Sequence, residues 1–310
     1  MEHLGHDDFA RLFGTTSSTL SPAARALIEA GDFSFSLLQG EPRDRLILAL
    51  LEAVDRPELA TAGPARQPAW EQGWSENLAA FEASGDIDAL VPRYFKPDQP
   101  VRLEGRYVVP TDPDFYQRYT DVFRHWIFPR FFSDVPAIYE FGCGSGSHVA
   151  CLAQLFTDKP IVGLDWAAAS QRIVASLGRV KGYRVEGRHF DFFEPDASLQ
   201  LERGCGVLTF GALEQVGGRF GPFIDYVLGQ RPAVCLHIEG FVELYEPRDL
   251  FDYLAARYHR RRGYLEGLLP HLQQLERSGE VEILSVHRHR AGVYSNDTYS
   301  HVAWRPRKEN

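Results

Sequence analysis

The sequence predicts an α/β fold in which a mostly parallel sheet with helices on both faces follows a helical N-terminal region. Two patterns indicate this. From residue 136 onward, short apolar segments alternate with segments of helical periodicity, as in parallel sheets that helices cover. Before residue 110, helix caps and apolar residues at helical spacing dominate. The 310 residues and 44% apolar content suffice for one large core, or for a core with a smaller helical part.

We divide the chain into a helical N-terminal region, 1–110, and a second domain, 111–310. Three helices are expected in the first region: one between Ser21-Pro22 and Gly31, a largely buried one over 42–54, and one capped by Ser75 that runs to Ser84. The proline-rich residues 96–110 predict a linker or a short hairpin. We expect the whole region to cover a substrate or to form the interface of a homodimer.

The second domain begins with a helix that is predicted to start after Thr111-Asp112-Pro113 and to end at Pro129. Its aromatic residues recur at helical spacing, which indicates core packing. Alternatively, Tyr116 or Tyr119 projects over a ligand pocket. The strands predicted next are 137–141, 160–165, 184–190, 205–210, 232–238, 280–290 and 298–305, the last two as an antiparallel hairpin at the sheet edge. The helices predicted among them are 147–157, 168–177, 197–202 and 220–229, with a helical insertion over 247–278.

Charge and composition exclude several classes of protein. The whole net charge of −9 falls on the residues up to Phe115, which include 19 acidic and 10 basic side chains. A nucleic acid or an anionic membrane needs a basic surface, so neither is expected as a partner. The sequence has no apolar run of membrane-spanning length and begins without a signal-like segment. Its four scattered cysteines indicate reduced thiols and a cytoplasmic protein.

The most informative segment is a strand that runs into three alternating glycines, Gly142, Gly144 and Gly146, and then into a helix. Glycines allow a tight turn and let a ligand lie against bare backbone, while the helix start offers free N–H groups. A dinucleotide-binding turn would have glycine or alanine where this chain has Ser147. Glu140, two residues before the first glycine, could hold a cationic ammonium group.

Acidic residues follow the next two strands. Asp165 ends the second strand and is placed to accept the hydroxyls of a ribose, with Trp166 beside it to flank an adenine. Alternatively, Asp165 caps the helix that follows. Asp191 ends the third strand and could accept from the adenine amino group, with the backbone N–H of Phe192 next to it. The alternative for Asp191 is a turn carboxylate.

The segments EFGCGSGSH, VGLDW, HFDFF and VLTFGALEQVG resemble, in order and spacing, the motifs of class I S-adenosylmethionine-dependent methyltransferases. The resemblance covers about residues 135–240. It implies a Rossmann-like, seven-stranded sheet with an antiparallel last strand, and S-adenosylmethionine as the cofactor. The candidate residues for binding this cofactor are Tyr116, Tyr119, Glu140, Gly142, Cys143, Gly144, Asp165, Trp166, Asp191, Phe192 and Gly211.

The acceptor pocket of such an enzyme should lie beyond the fourth and fifth strands. Many relatives have Glu-His after the fourth strand, whereas this chain has Glu214-Gln215, so a histidine base is not implied there. His237 and Glu239 at the end of the fifth strand are two residues apart, so their side chains face the same side of the strand. The imidazole and the carboxylate together could act as a general base. Alternatively, they are a satisfied sheet histidine and a solvated acid. Glu214 is the third catalytic candidate, with a role in orienting substrate or in bonding to backbone donors.

Two further clusters have weaker patterns. His237, Glu239 and Glu243 could supply mixed ligands to a metal, but their spacing matches no known template, so no metal is predicted. The basic segment 258–262, YHRRR, indicates a solvated helix face. Alternatively, one of its arginines could bind a carboxylate or phosphate on the acceptor.

Together these features predict methyl transfer from S-adenosylmethionine to an oxygen, nitrogen or carbon nucleophile of a small molecule. One alternative is a regulatory or assembly protein that binds the cofactor without transferring a methyl group. A protein methyltransferase is a second alternative. Ser147 disfavours a nicotinamide-dependent oxidoreductase.

Overall fold

The N-terminal part of the chain contains strands as well as helices. A computed structural model describes residues 1–93 and 96–307. The first elements are β1 (Glu2–His3), α1 (His6–Leu12), α2 (Pro22–Ala30), β2 (Ser34–Leu37), α3 (Gly40–Asp55), α4 (Gln67–Ser84), β3 (Val101–Leu103) and β4 (Arg106–Pro110). As predicted, α2 begins after Ser21, whose Oγ accepts from the backbone N–H of Ala24.

Two predictions for this part were wrong. Helix α3 is mostly exposed, with only Leu50 and Val54 buried, because it packs on one side of the molecule against a single later helix. Helix α4 begins at Gln67, so Ser75 lies inside it and caps nothing. The predicted hairpin over 96–110 is confirmed by β3 and β4, which pair in antiparallel register.

The middle of the chain forms the parallel core. Its elements are α5 (Phe115–Phe132), β5 (Ile138–Phe141), α6 (Ser147–Leu155), β6 (Ile161–Asp165), α7 (Ala168–Lys181), β7 (Val185–His189), β8 (Gly206–Phe210), α8 (Gly221–Gln230) and β9 (Val234–Glu239). All five strands were predicted to within two residues at each end. The helix predicted over 197–202 is absent, since these residues form a short turn followed by irregular structure. Pro129 lies inside α5 instead of ending it.

The C-terminal part contributes to two sheets. Its elements are α9 (Leu250–Arg262), α10 (Leu268–Ser278), β10 (Val281–His287), β11 (Ala291–Val293), β12 (Asn296–Asp297) and β13 (Ser300–Pro306). The predicted insertion over 247–278 is therefore two helices. The predicted last hairpin is present, with β10 antiparallel to β13, but the connection between them forms a second hairpin from β11 and β12.

The larger sheet has the order β10-β13-β9-β8-β5-β6-β7. Strands β5 to β9 are parallel, and β13 is antiparallel to β9, which confirms the predicted Rossmann-like fold. Successive residues of a strand are buried on opposite faces of the sheet: Ile138 packs into one hydrophobic cluster and Tyr139 into the other. Both faces are apolar because helices cover them. The parallel strands all point the same way, so the loops after them meet at one edge.

The smaller sheet crosses the predicted domain boundary at residue 110. Its order is β1-β2-β4-β3-β11-β12, so strands from both ends of the chain pair with each other. Arg102 of β3, for example, lies opposite Gly292 of β11. The N-terminal region is therefore not purely helical. In the described part of the chain, no helix is long and apolar enough to cross a membrane.

A buried ion network joins this smaller sheet to α9. The Arg102 guanidinium forms ion pairs with the carboxylates of Asp252 and Asp297, with 2.8 Å between its Nε and Asp297 Oδ1. Arg288 contacts the same two aspartates, at 2.6 and 2.7 Å. Two positive and two negative charges thus alternate, which offsets the cost of removing each of them from water. The network fixes α9 and the 288–297 segment against β3.

Candidate functional site

A cavity of about 970 Å³ lies at the carboxyl ends of the parallel strands. Gly142, Asp165 and Gly211 line its floor, directly at the ends of β5, β6 and β8. Helices α4, α5 and α9 contribute side chains to its walls, as does the segment that leads into β13. The predicted site residues that line this cavity are Tyr116, Gly142, Cys143, Gly144, Asp165, Trp166, Phe192, Gly211 and Glu214. Five other candidates are not in its lining: Tyr119, Glu140, Asp191, His237 and Glu239.

The glycine turn has little room for side chains. Gly142 and Gly144 have φ values of 74° and 51°, in the left-handed region that disfavours other residues. A Cβ at Gly144 would lie 3.0 Å from the ring of Trp74, and one at Gly142 would lie 2.4 Å from Cβ of Ala212. The absence of side chains in this turn therefore allows α4 to approach closely. It also allows the backbone to turn tightly at the edge of the cavity.

Asp165 joins the glycine turn to the start of α7. Its Oδ2 accepts from the backbone N–H of Gly144 at 2.9 Å, and its Oδ1 accepts from that of Ala167 at 2.8 Å. Burial raises the pKa of Asp165 to about 6. The contact with Ala167 is a turn bond two residues along the chain; Ala167 is itself the N-cap of α7, so Asp165 is not the helix cap that the sequence left as an alternative. A carboxylate has further acceptor positions, so these bonds leave capacity for a ligand.

Glu140 is fully buried at the end of β5. Neither of its carboxylate oxygens has a hydrogen-bond partner among the residues that the structure describes. Burial raises the pKa of Glu140 well above its usual value, against the opposing charge of Arg124. A buried carboxylate without a donor is costly, and a cationic ammonium group next to the turn would offset that cost. The chemistry of Glu140 thus suits an ammonium group, although Glu140 lies outside the lining of the cavity.

Aromatic side chains wall the side of the cavity near β6 and β7. Trp166 and Phe193 contact each other with ring centroids 6.0 Å apart, and Phe192 lies beside them in the lining. Such faces suit a planar base. Asp191 accepts from the backbone N–H of Phe193 at 2.8 Å, as a turn carboxylate does, and is not part of the lining.

Helix α4 lies over the glycine turn, within the N-terminal region that was expected to cover a substrate. Trp70 and Trp74 stack on each other with ring centroids 5.4 Å apart, and both line the cavity. Glu71, on the same helix, accepts from the backbone N–H of Ala169 at the start of α7, at 3.1 and 3.2 Å. This hydrogen bond holds α4 above the site.

Only one of the two candidate tyrosines on α5 faces the cavity. Tyr116 lines it, and its hydroxyl bonds to that of Thr298 while its ring stacks on Tyr299 at 5.9 Å. Tyr119 lies in the core instead, where it stacks on Phe9 with ring centroids 5.5 Å apart. Its position follows from its packing against α1, which the periodicity of α5 alone could not indicate.

Glu214 brings a carboxylate to the cavity on a short 3₁₀ turn, Leu213–Gln215. The side-chain amide of Gln215 donates to its Oε1 at 3.1 Å. Burial raises the pKa of Glu214 to about 7, and the charge of Arg262 acts in the opposite direction. A carboxylate with a pKa near neutrality can accept a proton at physiological pH.

Glu239 and His237 lie in the sheet beneath this turn. The carboxylate of Glu239 accepts from the backbone N–H groups of Ala212, Leu213 and Glu214, at 3.1–3.2 Å. Burial, and then the charge of Glu214, raise the pKa of Glu239 to about 8. Burial lowers the pKa of His237 to about 3. The structure does not bring this pair to the cavity, and Glu239 is not the solvated acid that the sequence left as an alternative.

His237 is held by neighbours within the sheet. Its Nδ1 lies 2.9 Å from the hydroxyl of Thr209 on β8, and its ring lies between Phe223 and Trp304. Glu243, the remaining candidate metal ligand, accepts from the backbone N–H of Gly267. Within residues 1–93 and 96–307, no group of three or more histidine, cysteine, aspartate or glutamate side chains is arranged to hold a metal.

His148, at the start of α6, is a lining residue that was not assigned a role from the sequence. Its ring stacks on Phe210 with centroids 3.9 Å apart, and Arg124 donates to its Nδ1 at 3.3 Å. Burial lowers the pKa of His148 well below its usual value, and the charge of Arg124 adds to this effect. Because Arg124 can only donate, the proton of the neutral ring resides on Nε2.

Comparison with known proteins supports the fold. Neither the scan against models of protein families nor the search of curated proteins finds a match. Among solved structures, the [4+2]-cyclase SpnF aligns with a TM-score of 0.51 at 13% identity, over 81% of this chain and 98% of that one. At this identity the likeness shows a shared fold.

Two further solved structures align over nearly the whole chain with lower scores. A riboflavin-analogue dimethyltransferase, N,N-8-amino-8-demethyl-D-riboflavin dimethyltransferase from Streptomyces davawensis, has a TM-score of 0.40 at 14% identity, over 97% of this chain and 89% of that one. An O-methyltransferase from neocarzinostatin biosynthesis, solved with S-adenosylmethionine and 2-hydroxy-5-methyl naphthoic acid, has a TM-score of 0.40 at 17% identity, over 98% and 90%.

Proposed function

We propose that this chain binds S-adenosylmethionine and transfers its methyl group to a small-molecule acceptor. One observation carries the proposal: the glycine turn, Asp165 and Glu214 meet in a single cavity at the carboxyl ends of the strands. The unpaired, buried carboxylate of Glu140 beside that turn supports a ligand with an ammonium group.

Each of these residues has a part in binding the cofactor. Glu140 would hold the ammonium group of the methionine moiety, and Asp165 the hydroxyls of the ribose. Trp166 and Phe192 would flank the adenine, and Tyr116 would close the pocket above the glycine turn. The bound cofactor supplies an electrophilic methyl group on a sulfonium. The task of the protein is then to orient a nucleophile in line with that methyl group.

Glu214 is the base of the proposed reaction. An oxygen or nitrogen nucleophile loses a proton as the new bond to carbon forms, and this proton passes to the carboxylate of Glu214. Glu239 acts as a positioning residue, because its carboxylate holds the backbone of the turn that presents Glu214. His237 takes no part, since it is buried in the sheet with a lowered pKa.

The size and enclosure of the cavity favour a small acceptor. About 970 Å³ is at the upper end of the range for small-molecule sites, so the space accommodates a cofactor together with a compact acceptor. Helices α4 and α9 both contribute to its walls, which leaves less room for a protein substrate. The acidic balance of the residues up to Phe115 argues against a nucleic acid.

A cofactor-binding protein without transfer activity is the second candidate. The observation in its favour is that the fold also occurs in a [4+2]-cyclase, so the fold does not itself specify methyl transfer. This candidate predicts that S-adenosylmethionine binds but that no acceptor is methylated.

Calorimetric titration tests the proposal directly. S-Adenosylhomocysteine and S-adenosylmethionine should bind the wild-type protein, and NADH should not. Asp165→Ala should weaken S-adenosylhomocysteine binding at least about tenfold, which corresponds to roughly 1.4 kcal/mol. Because Asp165 also bonds to Gly144 and Ala167, the melting temperature of the variant must show that it is folded. Binding of NADH alone would make the proposal wrong, and unchanged affinity of a folded Asp165→Ala would refute the ribose assignment.

A further inference from the structure

Three successive arginines end helix α9, and they have different surroundings. Arg260 pairs with Glu266 at 3.1 Å on the exposed surface. Arg261 is partly buried, lies outside the cavity lining and donates to the backbone oxygens of Arg56 and Pro57, at 3.0 and 3.3 Å. Arg262 instead lines the cavity. The structure thus separates one arginine that lines the cavity from two that lie outside its lining.

Arg262 is held between two tyrosines. Its guanidinium carbon lies 5.7 Å from the ring centroid of Tyr258 and 4.8 Å from that of Tyr264. One of its terminal nitrogens donates to the hydroxyl of Tyr258 at 2.9 Å, while its Nε is buried without a hydrogen-bond partner among the described residues. These contacts fix the orientation of the guanidinium and leave donors for a ligand.

Three of the buried or partly buried arginines of this protein have carboxylate partners, whereas Arg262 does not. Arg102 and Arg288 share Asp252 and Asp297, and Arg124 pairs with Asp121. No carboxylate among the described residues lies within ion-pair distance of Arg262. A partly buried guanidinium without a counter-ion is unfavourable, so an anion bound there would be stabilised.

The geometry points to an acceptor that carries a carboxylate, which Arg262 binds while the nucleophile of the same molecule faces Glu214. This inference rests on the proposed function. A carboxylate fits the planar donor array of one arginine, whereas a phosphate dianion requires more positive charge. The rings of Tyr258 and Tyr264 beside the guanidinium favour a flat acceptor skeleton. Glu214 and Arg262 line the same cavity, so an acceptor within it can contact both groups.

The test compares matched acids and amides. Hydroxybenzoates and their carboxamides are titrated by calorimetry, at up to millimolar concentration, into protein saturated with S-adenosylhomocysteine. The wild-type protein should bind the carboxylates at least about tenfold more tightly than the carboxamides, since a charge-assisted pair contributes about 1.5–3 kcal/mol. Arg262→Gln should abolish this preference, and Arg262→Lys should retain part of it. Arg261→Gln, next to it but on the outer face, is the matched control and should keep the full preference.

The possible outcomes distinguish failure of the carboxylate inference from failure of the proposed function. If wild-type protein binds acids and amides equally, or binds no carboxylate at all, the inference is overturned while S-adenosylhomocysteine binding still supports the function. The same holds if the preference survives in Arg262→Gln. Arg66, which lines the cavity over Trp70, provides a second comparison, because loss of the preference in Arg66→Gln alone would assign the anion to Arg66. If the wild-type protein does not bind S-adenosylhomocysteine, the proposed function itself fails.

Discussion

The carboxylate of Glu239 accepts a hydrogen bond from the backbone N–H of Glu214, with 3.2 Å between Oε2 and the nitrogen. Its other oxygen accepts from Ala212 and Leu213. Glu239, which the sequence suggested as a catalytic base, thus holds the turn that carries Glu214 into the cavity. These hydrogen bonds connect the end of β9 to the loop after β8, so that Glu239 in the sheet sets the position of Glu214 in the cavity.

Glu214→Gln should lower kcat about a hundredfold and leave the affinity for S-adenosylhomocysteine unchanged, because the base is lost while the cofactor contacts remain. In the wild-type protein the pKa of Glu214 is about 7, and only the ionised form accepts a proton. The rate of methyl transfer should therefore rise with pH up to about 7 and level off above it. Initial rates across the neutral range, with the methylated product measured by mass spectrometry, check both expectations. A flat pH profile in the wild-type protein would remove Glu214 from the chemistry.

Glu239→Gln should lower kcat about tenfold, because an amide has one acceptor oxygen where the carboxylate has two, so part of the support for the Glu214 turn is lost. The affinity for S-adenosylhomocysteine should stay the same. The midpoint of the rate profile should stay at about 7 in the variant, because Glu239, with its pKa raised to about 8, is mostly uncharged where Glu214 titrates. An unchanged kcat in a folded variant would contradict the positioning role.

The parallel core could be predicted from the sequence because each of its strands is a short, continuous apolar segment. Ile138 and Tyr139 are both apolar since each faces a different layer of helices. The smaller sheet could be predicted only as far as the hairpin of β3 and β4, because β3 and β11 are only three residues long and pair only when distant parts of the chain meet. Strands this short have too little pattern to be distinguished from loops.

The candidate site likewise has one part that could be predicted from the sequence and one part that could not. The glycine turn and Asp165 were predictable because local sequence order sets their geometry at the ends of strands. Whether Tyr116 or Tyr119 faces the cavity could not be predicted, since residues three apart share a face of the helix. The contact of Glu239 with the Glu214 turn was also unpredictable, because it joins two strands that are adjacent only in the folded sheet.

Gly144→Ala should weaken S-adenosylhomocysteine binding at least about tenfold, because the new methyl group would meet the ring of Trp74 and displace the turn or the helix above it. Gly182→Ala is the matched control. Gly182 also has a positive φ, of 70°, but no atom lies within 4 Å of the position that a Cβ would take there, so only backbone strain is added. Equal binding by both variants, measured by calorimetry, would show that contact with Trp74 does not shape the site.

The buried histidines beside β10 and β13 should make stability depend on pH. Nε2 of His289 lies 3.2 Å from Nδ1 of His301, and Ser285 contacts the other nitrogen of His301 at 3.0 Å. Burial lowers the pKa of His301 to about 3 and that of His289 well below its usual value of 6.5, and the charge of neighbouring histidines adds to both shifts. Both rings are therefore neutral in the folded protein.

Because the pKa of His301 is about 3 in the folded protein, the unfolded chain binds more protons at this residue between about pH 3 and 6.5, and the lowered pKa of His289 acts in the same direction. The contribution of these histidines to the free energy of unfolding should thus be fully present above pH 6.5 and decrease as the pH falls, by up to about 1.4 kcal/mol per pH unit for each ring. Buried carboxylates with raised pKa values have the opposite dependence. Urea unfolding of the wild-type protein and His301→Phe at several pH values isolates the histidine effect, since the carboxylates are common to both. The free energy of unfolding of His301→Phe should decrease less steeply below pH 6.5, and parallel curves for the two proteins would show that His301 is not kept neutral by burial.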